Sequence, residues 1–222
     1  MSKDVLFDGN PVLEFSDEHD RRNFIRWAGL VGAGVTLAAG TGFGAQAFAA
    51  PAPGNATQRD ATDIDILNYA LTLEYLEADF YTHGISAGII RKERELELLT
   101  PIRDHEQGHV TGITELITSL GGTPVAKPKI TYPEATFRSR LRFLRQASAF
   151  EELGVTAYHG QVPLISSPDV LGAAASIAGV ESRHAAIVAT LRLADPFPRP
   201  IEENRSMEDV VAQIQPFIGS GK

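Results

Sequence analysis

The chain has 222 residues, 43% of them hydrophobic and 22% charged, with a formal net charge of -8 and no cysteine. Such a composition suits one globular domain with a sizeable core, and its acidity argues against a nucleic-acid partner, which calls for a basic face. Without cysteine there are no disulfides, zinc knuckles, iron–sulfur clusters or thiol nucleophiles. Any metal must be held by oxygen and imidazole nitrogen, donors that suit iron or manganese.

Composition changes sharply near residue 21. A polar, acidic leader ends at Asp20, and Arg21-Arg22-Asn23-Phe24-Ile25-Arg26 follows. A weakly apolar stretch then runs from Trp27 to about Gly40, before a small-x-small site at Ala47-Phe48-Ala49. This resembles a twin-arginine export signal, with Asp20 standing where such signals more often have Ser or Thr. The alternative is a membrane anchor, but the run is short of the roughly 20 residues a spanning helix needs, and glycines from Gly29 to Gly44 weaken it as a helix. The expectation is a cleaved signal over 1–49, a linker over 50–62, a helical domain over 63–193 and a tail over 194–222. The resemblance implies export to the periplasm or cell exterior, with no stable span after cleavage.

From Asp63 the apolar period is helical. The first face carries Ile64, Leu67, Leu71, Glu74, Ala78 and Tyr81, with Gly84 read as a stop. A short amphipathic piece, Ile90 to Leu99, precedes Thr100-Pro101, read as the start of the second helix. That helix carries Ile102, Glu106, His109, Ile113, Ile117 and Leu120 and ends at Gly121-Gly122. The segment from Thr123 to about Thr136 holds three prolines and no apolar period, so it is expected to cross the length of a bundle. The third face carries Phe137, Leu141, Leu144, Ser148, Glu151, Val155 and Tyr158. After Gly160 and a turn at Ser167-Pro168-Asp169, the fourth carries Val170, Ala174, Ile177, Glu181, His184, Val188 and Leu191. Met207 to Ile214 is a candidate short helix on the outside. The fold class is therefore all-α: a four-helix bundle with a long crossover between helices 2 and 3.

Each apolar face is interrupted at its middle by ionisable residues. In chain order these are Glu74; Glu106 and His109; Glu151; Glu181 and His184. A Glu-x-x-His pair puts both side chains on one helical face, one turn apart, so it can offer a carboxylate oxygen and an imidazole nitrogen to one ion. Two such pairs plus two further glutamates suit a pair of metal ions. Four buried carboxylates with no cation would each cost several kcal/mol in desolvation. An internal repeat supports the set. Leu73-Glu74 is followed by Tyr81 and Phe150-Glu151 by Tyr158 at the same distance, which selects Glu74 over Glu77 and Glu151 over Glu152.

The strings LNYALTLEYLEADFY, RDHEQGHV, FEELGVTAYHG and ESRHAAI resemble the ferritin-like superfamily, and within it the desiccation-related branch. The resemblance implies a ferritin-like four-helix bundle with Glu74, Glu106, His109, Glu151, Glu181 and His184 as ligands of two metal ions, iron first and manganese second. The first reading of such a site is a redox protein acting on dioxygen, peroxide or ferrous iron under oxidative or desiccation stress, of peroxidase, catalase or ferroxidase type. The rival is a non-enzymatic stress protein with a structural or vestigial site. Expected partners are a small-molecule oxidant or a metal ion, with homo-oligomerisation open. Among the neighbours, Tyr81 and Tyr158 lie about 10 Å along their own helices from Glu74 and Glu151 and read first as core aromatics whose hydroxyls find a partner, second as hydrogen-bond donors to the ligands or redox-active tyrosines. Glu77 reads as solvated or as a support to the ligands ahead of a further ligand, His83 and His159 as C-terminal caps, His105 as pointing off the metal face, and Arg91 to Glu97 as a solvated face.

Overall fold

The computed structural model describes the backbone of residues 56–219 and the side chains of residues 63–219. The expected export signal lies outside them. Five α-helices follow in order: α1 (Ala56–Ser86), α2 (Glu93–Ser119), α3 (Arg140–Gln161), α4 (Pro168–Leu191) and the short α5 (Met207–Ile214). No described helix is long and apolar enough to cross a membrane.

Contacts between helices fix their directions. Glu74 of α1 meets His109 of α2 while Thr82 meets Gln107, and Arg140 of α3 meets the end of α4 at Leu191 while Glu151 meets His184. Residue numbers rise on one helix as they fall on its partner, so each consecutive pair is antiparallel. Tyr81 with Glu151 and Tyr158 with Glu74 make α1 and α3 antiparallel too. Helices α2 and α3 therefore run parallel, and the chain between them must travel the full length of the bundle, as the prolines and missing period predict. It is strapped to α1 by Lys127 on Asp79 (2.6 Å) and by Asn68, whose side chain accepts from Val125 N (2.7 Å).

Local chemistry explains most boundaries, and several differ from the sequence expectation. α1 reaches back to Ala56, into the stretch read as linker. It also runs through Gly84 to Ser86, because Gly84 is a packing position: a Cβ there would drive into the ring of Phe143, which stacks on Phe80 at 4.9 Å. The turn comes instead at Gly88, with φ +65°. Thr100-Pro101 does not start α2. The helix begins at Glu93, and Pro101 lies inside it; buried Leu99 and Ile102 hold the turns on either side of the missing donor in one helix. Gly121 and Gly122 do end α2: their N–H groups bond Thr118 O (3.0 Å) and Ile117 O (2.9 Å), the double closure that a left-handed glycine (φ +79°) permits. α3 starts at Arg140 with Ser139 as its cap, so Phe137 sits in a preceding 3-10 turn and Leu141, 57% exposed, is off the core face. Gly160 is helical and not a stop; a Cβ there would meet the backbone of Arg205. Ser167 caps α4, with Pro168 in its first turn.

The core divides around the middle of the bundle. One half gathers Phe80, Tyr81, Leu99, Phe143 and Phe150, and the other Leu67, Leu71, Ile113, Ile117 and Val170. Each fully buried large side chain contributes about 1.5–3 kcal/mol. Alanines 174, 178, 185 and 189 are buried on α4, which lets its axis approach its neighbours closely. α5 seals the aromatic half with Val210 and Ile214, both buried, and the tail after it pairs with the crossover through Thr131 N to Phe217 O and Gly219 N to Lys129 O (both 2.8 Å).

Candidate metal centre

Between the two halves of the core, all four long helices turn ionisable side chains inward. Glu74, Glu106, Glu151 and Glu181 have no exposed surface, and His184 is 2% exposed. The six residues picked from the sequence come together in two overlapping groups: Glu74, Glu106, His109 and Glu181 in one, and Glu106, Glu151, Glu181 and His184 in the other, with the offered donor atoms of each group within 4.8 Å of one another. Glu106 and Glu181 belong to both. They come from the two Glu-x-x-His helices, α2 and α4, which lie on one side of the cluster.

The donors converge without satisfying each other. His184 Nδ1 lies 2.8 Å from Glu106 Oε1 and 3.5 Å from Glu151 Oε2, and His109 Nδ1 lies 3.1 Å from Glu181 Oε1. Yet Glu106 Oε1, Glu151 Oε2, both oxygens of Glu181 and His184 Nδ1 form no hydrogen bond in acceptable geometry. Buried polar atoms are nearly always paired, and an orphaned one costs about 1–3 kcal/mol, more when charged. Lone pairs aimed at a shared point, from hard oxygen and imidazole donors, are what a divalent cation requires. The residues present fit a metal.

The electrostatics point the same way. Burial, followed by the charge of Glu181, pushes Glu77 well above the carboxylate range; burial and then Glu106 do the same to Glu181. Burial lifts Glu74 to about 7 although His109 opposes it. Burial would raise Glu106 as well, but the hydrogen bond from His109 and the nearby imidazole of His184 outweigh it and hold Glu106 below its ordinary value. Burial disfavours charge on His109 and His184, and the carboxylates overcome this and raise both. Without a cation the cluster therefore holds extra protons, which a metal would displace.

Four neighbours are closer to the cluster than the sequence suggested. Tyr81 donates to Glu151 and Tyr158 to Glu74, so each tyrosine serves the glutamate of the opposite helix. Burial and the adjacent carboxylate raise both phenols well above normal, keeping them as donors. Glu77 is not solvated: it is 4% exposed and shares with Glu181 the space beside Gly154, where a Cβ would come within 3.3 and 3.1 Å of their oxygens. His105 does not point away. Its Nδ1 lies 2.9 Å from His184 Nε2, with the rings stacked at 5.2 Å. That contact turns the Nδ1 of His184 toward the carboxylates. Glu95, within the run read as solvated, is also buried and pairs with Arg140 at 2.6 Å. His83 and His159 behave as expected, each bonding the carbonyl one turn back (2.9 and 2.8 Å).

An all-helical bundle with parallel middle helices, a long crossover and carboxylates and imidazoles gathered at its centre defines the ferritin-like class. The family profile described as a ferritin-like domain matches residues 62–194, and the chain belongs to that family. Comparison with curated proteins gave no match.

Proposed function

We propose that the chain is an exported dimetal-carboxylate redox protein of the desiccation-related ferritin-like branch. Glu74, Glu106, His109, Glu151, Glu181 and His184 would hold two ions of iron, or failing that manganese, Glu106 and Glu181 being the residues that belong to both donor groups. The observation that carries the reading is the set of buried donor atoms that converge while Glu106 Oε1, Glu151 Oε2, both Glu181 oxygens and His184 Nδ1 remain without a hydrogen bond. Bound ions of this kind supply the electrons for chemistry with dioxygen, peroxide or further ferrous iron.

The chain's own residues do the rest. Four carboxylates balance the charge of two divalent cations. Tyr81 and Tyr158 restrain the rotation of Glu151 and Glu74, and His105 orients His184. The flanking core excludes bulk water and strengthens every electrostatic contact inside. The paired arginines at Arg21-Arg22 support export in the folded state, which would let the ions be loaded before transit.

The test is elemental analysis of protein purified without chelators, beside a variant with Glu106→Ala and Glu181→Ala. About two equivalents of iron or manganese, lost in the variant, are expected. A wild-type protein that stays empty after anaerobic addition of either ion would sink the redox reading and leave a structural role for the bundle.

A further inference from the structure

The three most exposed large hydrophobic side chains among the described residues lie close together in the strap that follows α4. Leu193 is 95% exposed, Phe197 80% and Ile201 81%, and none of them joins either half of the core. Leu193 is also the one described non-glycine residue with a positive φ, +60°. It closes α4, its N–H bonding Thr190 O (3.0 Å) while that of Ala194 bonds Ala189 O (2.9 Å). Glycine ordinarily takes the left-handed position in this closure. A leucine there strains its backbone and, being exposed, recovers nothing by burial, which points to a use outside the fold.

The strap is stiff and short of backbone donors. Pro196, Pro198 and Pro200 each fix φ and remove an N–H, and the N–H of Phe197 is taken by Asp195 Oδ1 at 2.8 Å. Unpaired backbone groups are what keep irregular chain out of lipid. Cations lie alongside, although the chain carries a net charge of -8. Leu191 O accepts from Arg140 (2.8 Å) and Arg199 pairs with Glu152 (3.8 Å), so the strap follows α3 from its first turn. The outer face of α3 there exposes Leu141, Arg142 and Arg145. Arg138, Arg140 and Arg199 are neutralised by Glu134, Glu95, Glu152 and Glu203. Arg142, Arg145 and Arg192 form no ion pair among the described residues. Glu202, beside Ile201, is the nearest acidic residue of the strap beyond Asp195 and Glu203.

We propose that the strap and the first turns of α3 form a face that docks on an anionic phospholipid bilayer. Leu193, Phe197 and Ile201 enter the boundary of the acyl chains, and Arg142, Arg145 and Arg192 lie against the lipid phosphates. Side chains this prominent suit a fluid partner that closes around them, and free arginines suit phosphate. The contact is peripheral, and it stands apart from the metal centre.

The chain has a single tryptophan, Trp27, so Trp27→Phe with Phe197→Trp places the only such fluorophore on the strap. In the full chain its emission should shift to the blue, and brominated acyl chains should quench it, when vesicles of phosphatidylglycerol and phosphatidylcholine are added. Binding by the leader alone would leave the strap unshifted and overturn the proposal. So would a blue shift that arises on concentrating the protein without vesicles, which would make a second copy the partner. Changing Arg142, Arg145 and Arg192 together to Gln should weaken binding about 100-fold, about fivefold for each, and vesicles of phosphatidylcholine alone should bind as weakly. Equal binding to both kinds of vesicle refutes the role of the arginines. Leu193→Gly should weaken binding about tenfold while its thermal midpoint holds or rises. A midpoint that falls would show that Leu193 serves the fold and overturn its assignment to the face.

Discussion

Removal of one hydroxyl tests whether the tyrosines belong to the metal centre. In Tyr158→Phe the ring, 6% exposed and packed in the core, keeps its place, so the perturbation is confined to the bond on Glu74. Glu74 has one oxygen on Tyr158 and the other 3.1 Å from His109 Nδ1. A hydrogen bond to a charged group is worth about 1.5–3 kcal/mol. Only the metal-loaded form holds Glu74 fully as carboxylate, since burial lifts it to about 7 otherwise. Most of the loss should therefore fall on metal affinity, a drop of about 10- to 100-fold, as expected when a partner of a ligand is removed. Competition titration against a chelator of known affinity measures it. Tyr81→Phe should weaken the Glu151 group comparably. Since both glutamates belong to groups that share Glu106 and Glu181, the double variant should depart from additivity by about 0.5–3 kcal/mol. Affinity unchanged in both single variants would refute the reasoning and return the tyrosines to a packing role.

Four further variants concern stability, each read from denaturation midpoints. Gly84→Ala should destabilise by about 1–3 kcal/mol through overpacking against Phe143, whereas Gly108→Ala, with open space around it in α2, should stabilise by about 0.5–1 kcal/mol. Arg140→Ala should cost about 2 kcal/mol at neutral pH by stripping the bond to buried Glu95. Arg140 holds Glu95 below its ordinary value, so its contribution is present above the unfolded carboxylate pKa of about 4.3 and is lost as pH falls through the lower folded value; the gap between variant and wild type should close in acid. Ile214→Ala should cost about 2–4 kcal/mol, because α5 holds the aromatic half of the core through this residue and Val210.

The six residues that gather at the centre were legible because two signals agreed: the three-residue spacing within α2 and α4, and the interruption of an apolar face at the same level in all four helices. Periodicity reports a residue's own helix and nothing about what faces it. Tyr81 looked remote because it is two turns from Glu74; the antiparallel packing of α1 on α3 carries it to Glu151. His105 lies off the Glu106–His109 stripe, and only the position of α4 puts His184 beside it. Gly84 and Gly160 carried the signature of helix stops, but the constraint at each is a neighbour too close for a Cβ, which a single sequence does not distinguish. Glu77 was set aside because the repeat has no counterpart for it, and that missing counterpart explains it: Gly154, at the equivalent place in α3, leaves the room its carboxylate uses.

The two halves of the repeat are therefore alike in their candidate ligands and unlike around them. Each contributes a glutamate, a Glu-x-x-His pair and a tyrosine that crosses to the other half. The residue before Glu106 is His105, however, whereas the residue before Glu181 is Val180. Only His184 thus has an imidazole on its outer nitrogen, while both histidines turn Nδ1 inward. A partner that fixes a ligand's orientation typically raises affinity about 10- to 100-fold. On the dimetal reading, the group containing Glu151 and His184 should fill first, and a manganese titration followed by electron paramagnetic resonance should resolve two unequal steps. His105→Ala should weaken the first step and bring the two together, leaving Glu74 and His109 unaffected. Equal steps in the wild type, or unequal steps that persist in His105→Ala, would show that the contact between His105 and His184 does not set the order of binding.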